Sequence, residues 1–460
     1  MKRTITSVLT PLFLILLIST VSAEKKSTGY DLGMLYELAV KHSEQIKIAE
    51  EDLYIAEKDK SRAMSVLAPR FSAFGQYTME DADSTTDPAA PPATFPELAQ
   101  KTDTTTWGVR FDQSFTLNGR ELTALSMAKK SIEKSSYDLD EIKEDYLYQV
   151  ASAYYGILQA TKGLDIAASN VKRLRKHKNA VATRLKLEDV TRTDMYRAES
   201  ELSDAKSQFI DTENSLQFAR ASLKRLVNIP DNFVLSDPAK KVPGSSTMDL
   251  KELQMRGLSK RALLKASEAE FEIAKKAKKH ANGAYWPTVS IEGQYADSSV
   301  NTDIDASSTT TGFENFSSDT DTDNEAYSLG AKLTFTIFDG GLRRAEIKQA
   351  AAKKRQARLG FEFAKKSIRL EIENTYLEVK TQKSKLKALK DKLKFSKQNY
   401  KAVAEMFKHG LSNSVDMMDA NTMLVESERD LSNAGYGYKL ALLKLKRVTG
   451  TFLDETGLKQ

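Results

Sequence analysis

Two periodicities alternate along this chain. Val289, Ile291, Gly293 and Tyr295 alternate with Thr288, Ser290, Glu292 and Gln294; Tyr327, Leu329, Ala331, Leu333, Phe335 and Ile337 alternate with Ser328, Gly330, Lys332, Thr334 and Thr336. Trp107, Val109, Phe111, Phe115 and Leu117 do the same against Gly108, Arg110, Asp112, Ser114 and Thr116. Period two with one apolar and one polar face reads as strand. The pattern predicts strands over about 70–79, 106–117, 288–298 and 326–338. Elsewhere the apolar positions step by three and four, as in Ile368, Ile372, Tyr376 and Val379 or Leu386, Leu389 and Leu393. These are narrow seams among charged residues, the mark of coiled-coil-like packing with water on the other faces.

The helical stretches come in a fixed order. One helix over 31–66 stops at Pro69, and a counterpart over 250–284 stops at Pro287, because proline cannot continue a helix and biases the residue before it toward extended backbone. After each second strand runs a proline-free stretch, 120–187 and 343–408, roughly 100 Å long at 1.5 Å per residue. Return helices over 192–226 and 414–448 are near 50 Å by the same rise. One long helix can therefore lie beside two short ones placed end to end.

The order repeats because the chain is duplicated. Ile55–Ala56 recurs as Ile273–Ala274, Pro69 as Pro287, and Gly75–Gln76–Tyr77 as Gly293–Gln294–Tyr295 at one offset. At a slightly larger offset Asp194–Met195 recurs as Asp416–Met417, and Leu223–Lys224–Arg225 as Leu445–Lys446–Arg447. The offset changes across a stretch that reads as loop in both copies, where insertions are tolerated. The repeats span 24–229 and 250–450; the linker 230–249 carries Pro230, Pro238, Pro243 and Gly244, and 451–460 reads as a tail.

Composition narrows the function. The 460 residues are 29% charged and 40% apolar, and they contain no cysteine. Disulfides, thiolate metal sites and cysteine nucleophiles are excluded at once. With a mean hydropathy of −0.46 the chain has no room for several spanning helices. Residues 1–23 have the layout of a secretory signal peptide: Lys2–Arg3, an apolar run from Val8 to Ile18, and Val21–Ser22–Ala23 as cleavage site. Losing Lys2 and Arg3 with that segment lowers the formal charge from +6 to +4, an excess that belongs to solvated helix faces, and nucleic acid is not expected as a partner.

Strands of about ten residues are long enough to cross a bilayer when tilted. Open sheet edges cannot sit in lipid, where each unpaired backbone group costs several kcal/mol. Spanning barrels have at least eight strands, so four strands per chain require several copies to share one barrel. Two copies or three satisfy that requirement. A soluble sheet packed on its own core is the other account of the same alternation.

Order, duplication and three motifs together resemble a known family. Phe338–Asp339–Gly340–Gly341 at the second strand-to-helix junction, Gly410 at the tip, and Asp416–Met417–Met418–Asp419–Ala420 after it are similar to the TolC-type outer membrane efflux proteins. The resemblance covers about residues 30–450. It implies a mainly α protein with a membrane β-barrel portion: a homotrimer with a twelve-stranded barrel, continued by an α-helical coiled-coil tunnel across the periplasm. It also implies a passive exit duct for efflux or type I secretion, working with a periplasmic adaptor and an inner-membrane transporter. The second reading is a secreted or periplasmic coiled-coil structural protein with no channel.

Asp416 and Asp419 lie three apart on one helix and share a face. Three-fold symmetry would make each a ring of carboxylates, attracting cations at the tunnel tip; as helix N-terminal residues they would also favour the macrodipole. The resemblance places them, with Asp194, at the constricted periplasmic aperture. Where the family's closing network has a tyrosine and an arginine, this chain has Phe407 and Ser412, and Glu188 stands where the first turn favours glycine. Nothing reads as an enzyme. His42, His177, His280 and His409 lack metal-ligand spacing, Gly340–Gly341 is a tight turn without the lysine of a phosphate loop, and no cofactor is expected. Residues 80–106 and 299–326 read as external loops; the second holds seven acidic groups and no basic one, with Asp319, Asp321 and Asp323 a poor imitation of a calcium loop.

Overall fold

A computed structural model describes residues 29–84, 97–236, 249–307 and 314–458. The signal peptide and most of the linker lie outside the described residues. In chain order the elements are α1 (Leu32–His42), α2 (Glu44–Ser65), β1 (Arg70–Ser84), β2 (Glu97–Thr116), α3 (Arg120–Lys186) and α4 (Arg192–Val227), then α5 (Leu250–Lys260), α6 (Ala262–Asn282), β3 (Thr288–Ser307), β4 (Phe316–Thr334), α7 (Leu342–Lys408), α8 (Ser414–Val448) and a short α9 (Phe452–Thr456).

The sheet is a four-stranded antiparallel meander in the order β1-β2-β3-β4. Its middle pairing joins the two repeats, with Phe115 opposite Val289 and Val109 opposite Tyr295. Registers across all three ladders place Ala73, Val109, Tyr295 and Tyr327 side by side on one face, and Phe71, Phe111 and Leu329 beside them. The opposite face carries Ser72, Arg110, Gln294 and Ser328. Gly108 is required in this register: a Cβ there would meet the Tyr295 carbonyl oxygen at 2.2 Å and the Phe74 ring at 2.9 Å.

Several boundaries differ from the sequence expectation. The strands run to 15, 20, 20 and 19 residues, so much of 80–106 and 299–326 is sheet and not loop. Threonine, serine and aspartate fill these distal halves, and backbone pairing holds them without an apolar alternation to reveal it. Asp319, Asp321 and Asp323 accordingly point to one side of β4, the opposite of the sharp turn a calcium loop needs. At the other end β4 stops at Thr334, leaving Phe335 to Phe338 outside the ladder. Each first helix is two helices. The chain leaves helical geometry at Ser43 (ψ 121°) and at Arg261 (ψ 122°), equivalent positions in the two repeats. Ser43 accepts from the Ile46 amide, while Arg261 is drawn into an ion cluster described below. Within the expected tail, 451–458 folds back on the core: Phe452 and Leu453 are buried, and Phe452 meets the Tyr36 ring edge-on at 5.8 Å.

The long helix α3 has neighbours on both sides, α2 and α4 from its own repeat and α6 and α8 from the other. Its counterpart α7 packs on α5, α6 and α8. The principal core joins α1, α2, the middle of α3, the end of α4 and α9. Thin clusters continue toward the tip, such as Leu174 with Leu202 and Ala205. No helix among the described residues is long and apolar enough to cross a membrane.

Candidate functional site: the helical tips

At their far ends α3 turns into α4 and α7 into α8, and the duplication is visible residue by residue. Glu188 (φ 63°) and Gly410 (φ 71°) occupy the same left-handed position of the turn. Each return helix starts with a capping box, in which a side chain at the N-cap accepts from the third helical amide and the third side chain accepts from the N-cap amide. Thr191 and Asp194 form the first, with Asp194 also accepting from the Thr191 hydroxyl at 2.7 Å. Those Thr191 hydrogen bonds hold the Asp194 carboxyl below its ordinary range. Asn413 and Asp416 form the second, and the Ser412 hydroxyl donates to Asp416 at 3.1 Å. Asp416 and Asp419 are both exposed on α8.

The left-handed turn bears on stability. An L side chain pays roughly 1–2 kcal/mol there, and glycine's greater freedom in the unfolded chain offsets up to about 1 kcal/mol of that. Glu188→Gly is expected to raise the thermal unfolding midpoint, by up to about 1 kcal/mol of stability, and Gly410→Ala to lower it by about 1 kcal/mol. Circular dichroism melts of the two variants check the pair; a destabilised Glu188→Gly would contradict it.

Phe407 is buried among Val181, Ala198 and Met417. Its ring lies 5.0 Å from the His177 ring, and the Arg184 guanidinium sits over it, 5.0 Å from the ring centroid. Arg184 Nη1 also donates to the Phe407 carbonyl oxygen at 3.2 Å, while its Nε lies 3.7 Å from Asp189. Below this, His177 Nε2 meets the Ser414 hydroxyl at 2.9 Å, Arg173 donates to Asn421 at 2.8 Å and pairs with Glu428 at 3.5 Å, and Asn421 donates to Asn170 at 2.7 Å. Burial holds the His177 imidazole below its ordinary pKa, so it stays neutral. A polar ladder thus ties α3 to the α7–α8 pair at the tip. Sequence reasoning missed Arg173, His177 and Arg184, since the α7–α8 groups they bond lie more than two hundred residues away and no local spacing marks them. Phe407, Ser412, Asp416 and Asp419 belong to the α7–α8 turn and Asp194 to the α3–α4 turn, and Asp194 and Asp416 are each bonded within their own turn.

At the sheet end, Gly340 (φ 67°) and Gly341 (φ 92°) form the tight turn expected between β4 and α7. Asp339 closes it, accepting from the Gly341 and Arg343 amides at 3.0 Å each. No group of three or more histidines and carboxylates that could hold a metal occurs among the described residues.

A four-stranded amphipathic sheet set on long paired helices, in two copies of one unit, defines the class of outer membrane channel-tunnels. The chain belongs to the outer membrane efflux protein family, whose pattern matches it twice, at residues 35–228 and 256–451. It is similar to the outer membrane protein TolC of Vibrio cholerae, 20% identical over 448 residues covering 97% of this chain and 96% of that one. It is also similar to the outer membrane efflux protein BepC of Brucella suis, 21% identical over 77% of this chain and 74% of the relative. Among solved structures, the CmeC outer membrane channel of Campylobacter jejuni shares the fold with a TM-score of 0.75, at 14% identity over 92% of this chain and 86% of that one. The open-state MtrE outer membrane channel of Neisseria gonorrhoeae matches at 0.72, with 19% identity over 92% and 89%. The protein is an efflux channel-tunnel of the outer membrane reaching into the periplasm, and the coiled-coil structural reading is not favoured.

Proposed function

We propose that three copies of this chain close into one tube, a shared twelve-stranded barrel set on a ring of twelve helical positions, and that the tube is a passive exit duct for efflux or type I secretion. The observation that carries it is an asymmetry between equivalent helices. α3 is flanked by a short pair on each side, α2 with α4 and α6 with α8, whereas α7 has α6 with α8 on one side only. The face of α7 opposite its buried seam exposes Leu359, Phe363, Leu370, Leu377 and Phe395. On α2 and α4 the exposed apolar residues include Ile48, Ile55, Ile210 and Phe218. Docking α7 of one copy on α2 and α4 of the next supplies what the repeat lacks, and it joins the open edge of β4 to the open edge of β1. Closure by three follows the family resemblance.

The apolar face of the sheet, with Phe71, Val109, Phe111 and Leu329, then meets outer membrane lipid, and the polar face lines the bore. At the far end Asp416 and Asp419 form stacked carboxylate rings in the aperture, with Asp194 nearby. The capping role of Asp416 and a role in the ring are compatible, because one of its carboxylate oxygens takes the cap hydrogen bonds and the side chain stays exposed. Phe407 and Ser412 brace this aperture, through Arg184 and through Asp416. A periplasmic adaptor and an inner-membrane pump supply the energy.

Planar-bilayer recording with the detergent-extracted protein tests this reading. A cation-selective conductance is expected, and Asp416→Ala with Asp419→Ala should shift its reversal potential in a salt gradient toward zero. An unheated gel run on the same sample reports the copy number. Folded protein that neither assembles nor conducts would refute the proposal.

A further inference from the structure

The face of the sheet that carries Val109, Tyr295 and Leu329 is apolar only over a middle band. On the side away from the helices the band ends in an aromatic row, with the Trp107 ring 5.8 Å from Tyr295 and Tyr295 4.9 Å from Tyr327. The next residues on that face are acidic: Asp297 stands opposite Glu325, and further out Asp303 stands opposite Asp319. On the helix side the band ends at Leu333 and, beyond the ladder, at Phe335 and Ile337, all three exposed. There the charge changes sign. Residues 342–358, the start of α7, hold seven basic groups and one acidic, whereas the equivalent 120–136 of α3 hold four and two.

Little of that charge is answered within the chain. Arg343 pairs with Asp339 at 2.6 Å, in the turn itself. Arg344, Lys348, Arg355 and Arg358 are exposed and make no ion pair within 4.0 Å among the described residues. Arg344 and Lys348 are like charges four apart, and Arg355 and Arg358 like charges three apart, so both pairs work against the helix. A neighbouring copy adds no counter-charge. The sheet-side end of α2, which the proposed tube lays beside α7, has Lys58, Lys60 and Arg62 against Glu57 and Asp59.

These residues share one side of α7. Arg344 and Arg358 stand four and two heptads before Ile372, against which α5 rests its Gly257, and Lys348 and Arg355 lie four and three residues from them on the same flank. α5 is tied to α9 by Lys260 and Asp454 at 2.8 Å, and α9 to α1 by Phe452 and Tyr36. In a closed tube this belt of short helices lies outside, since three belts turned inward would fill the bore. The flank is then the outer one. By the helical rise Arg344 and Lys348 lie within roughly 10 Å of the start of α7. A headgroup layer is about 5–7 Å deep, and charge acts about 10 Å beyond it at 0.1 M salt.

We infer that Arg344 and Lys348, repeated around the tube, form a basic collar that holds the phosphate headgroups of anionic phospholipids in the periplasmic leaflet, just below the apolar margin at Phe335 and Ile337. The inference rests on the tube reading above, which puts lipid against that margin. At the opposite boundary Asp297 and Glu325 repel the same headgroups, so the preference belongs to one side of the membrane.

The chain has two tryptophans, Trp107 and Trp286, which makes a local test possible. The oligomer is reconstituted in phosphatidylcholine vesicles containing either brominated phosphatidylcholine or brominated phosphatidylglycerol, whose bromines quench tryptophan on contact. Trp107→Phe with Trp286→Phe and Phe335→Trp places the only tryptophan at the periplasmic margin; Trp286→Phe alone leaves Trp107 at the outer one. At position 335 the relative affinity for the anionic lipid is expected to be at least about threefold above that for the zwitterionic lipid, falling toward parity in high salt, and Trp107 should show no such preference. Arg344→Gln with Lys348→Gln should abolish the preference, whereas Arg358→Gln, about 24 Å down the helix, should leave it. Equal quenching at position 335 by the two lipids, no quenching by either, or an unchanged preference in the double variant would overturn the collar while leaving the tube intact. An equal loss in Arg358→Gln would overturn it too, by reducing the effect to net charge. A double variant that no longer runs as an oligomer on an unheated gel would overturn it by assigning the pair to the joint between copies. A wild-type protein that neither assembles nor conducts would remove the tube reading and this one together.

Discussion

Phe363→Glu combined with Leu370→Glu should leave a folded, helical protomer that no longer assembles or conducts. The two side chains are 72% and 59% exposed in the single chain, and they lie on the side of α7 away from the buried Ile368 and Ile372. The protomer makes no use of them, so its helix content and its own unfolding should change little. In the proposed tube each would be covered by the next copy. Burying a side chain of this size is worth about 1.5–3 kcal/mol, and an unpaired carboxylate in the same place costs several kcal/mol more. The change is repeated at every interface of the ring, and a ring opened at any seam exposes sheet edges to lipid. Unheated gels should show monomer only, and bilayers should stay silent, with circular dichroism close to wild type. A variant oligomer as heat-stable as the wild type would exclude α7 as the joining face.

Arg261→Met is the second large effect, and here the protomer itself should suffer. Arg261 is 2% exposed at the break between α5 and α6. Its guanidinium donates to the Arg447 carbonyl oxygen and to Glu141, both at 2.9 Å, and lies 3.9 Å from Glu371. Arg447 pairs in turn with Asp145 and lies 3.8 Å from Glu141. One cationic pair thus joins α3, α7, α8 and the α5–α6 break, which are parts of both repeats. Removing one member of a buried charge set leaves the others uncompensated and typically costs about 3–5 kcal/mol.

The same cluster gives the deficit a pH signature. Glu144 is buried beside it, and burial raises its pKa to about 7, against the pull of Arg261 and Arg447. A folded-state value above the unfolded one means the folded protein binds the proton more tightly. Stability from this group is therefore fully present below the unfolded value near 4.5 and is lost as pH rises through about 7. Without Arg261 the raised value climbs further, so the Arg261→Met deficit should be largest near about pH 8 and narrow toward about pH 5.5. Glu144→Gln should flatten the wild-type dependence over that interval. Thermal unfolding midpoints across the pH series decide it; a deficit under about 1 kcal/mol, or one equal at both ends, would refute the cluster's role.

Legibility in the sequence follows the range of the interactions. The lower halves of the strands were plain because lipid or core on one face imposes an apolar residue at every second position. Their distal halves were not, since a ladder of backbone hydrogen bonds accepts Thr102, Asp103 or Ser318 equally well. The breaks at Ser43 and Arg261 were hidden for a related reason. Both lie in segments rich in Ala, Glu, Lys and Leu, whose intrinsic preference is helical, and the break is made by contacts such as Arg261 with Glu141. Of the candidate site, the spacing of Asp416 and Asp419 and the turn at Gly410 are legible in the sequence, and the family resemblance marks Glu188 as out of place; that both turn residues are left-handed came from the structure. Phe407 was singled out only as a missing hydroxyl; its partner Arg184 is set by how α3 lies against α7.

What belonged to the chain alone was local and repetitive. The period of each segment, the doubling of the unit, the turn residues and the carboxylates near the tip are properties of neighbours in sequence, and neighbours report on each other through backbone geometry and one-sided burial. What belonged to the tertiary structure was which helix lies beside which. The bonds that follow from it, Arg261 to Glu141, Arg173 to Asn421 and His177 to Ser414, join groups that no local period relates. The bare side of α7 belongs there too. A long polar helix with a thin seam is written the same way whether it has one neighbour or two, and only packed next to its equivalent does α7 show the bare face on which the proposed assembly rests.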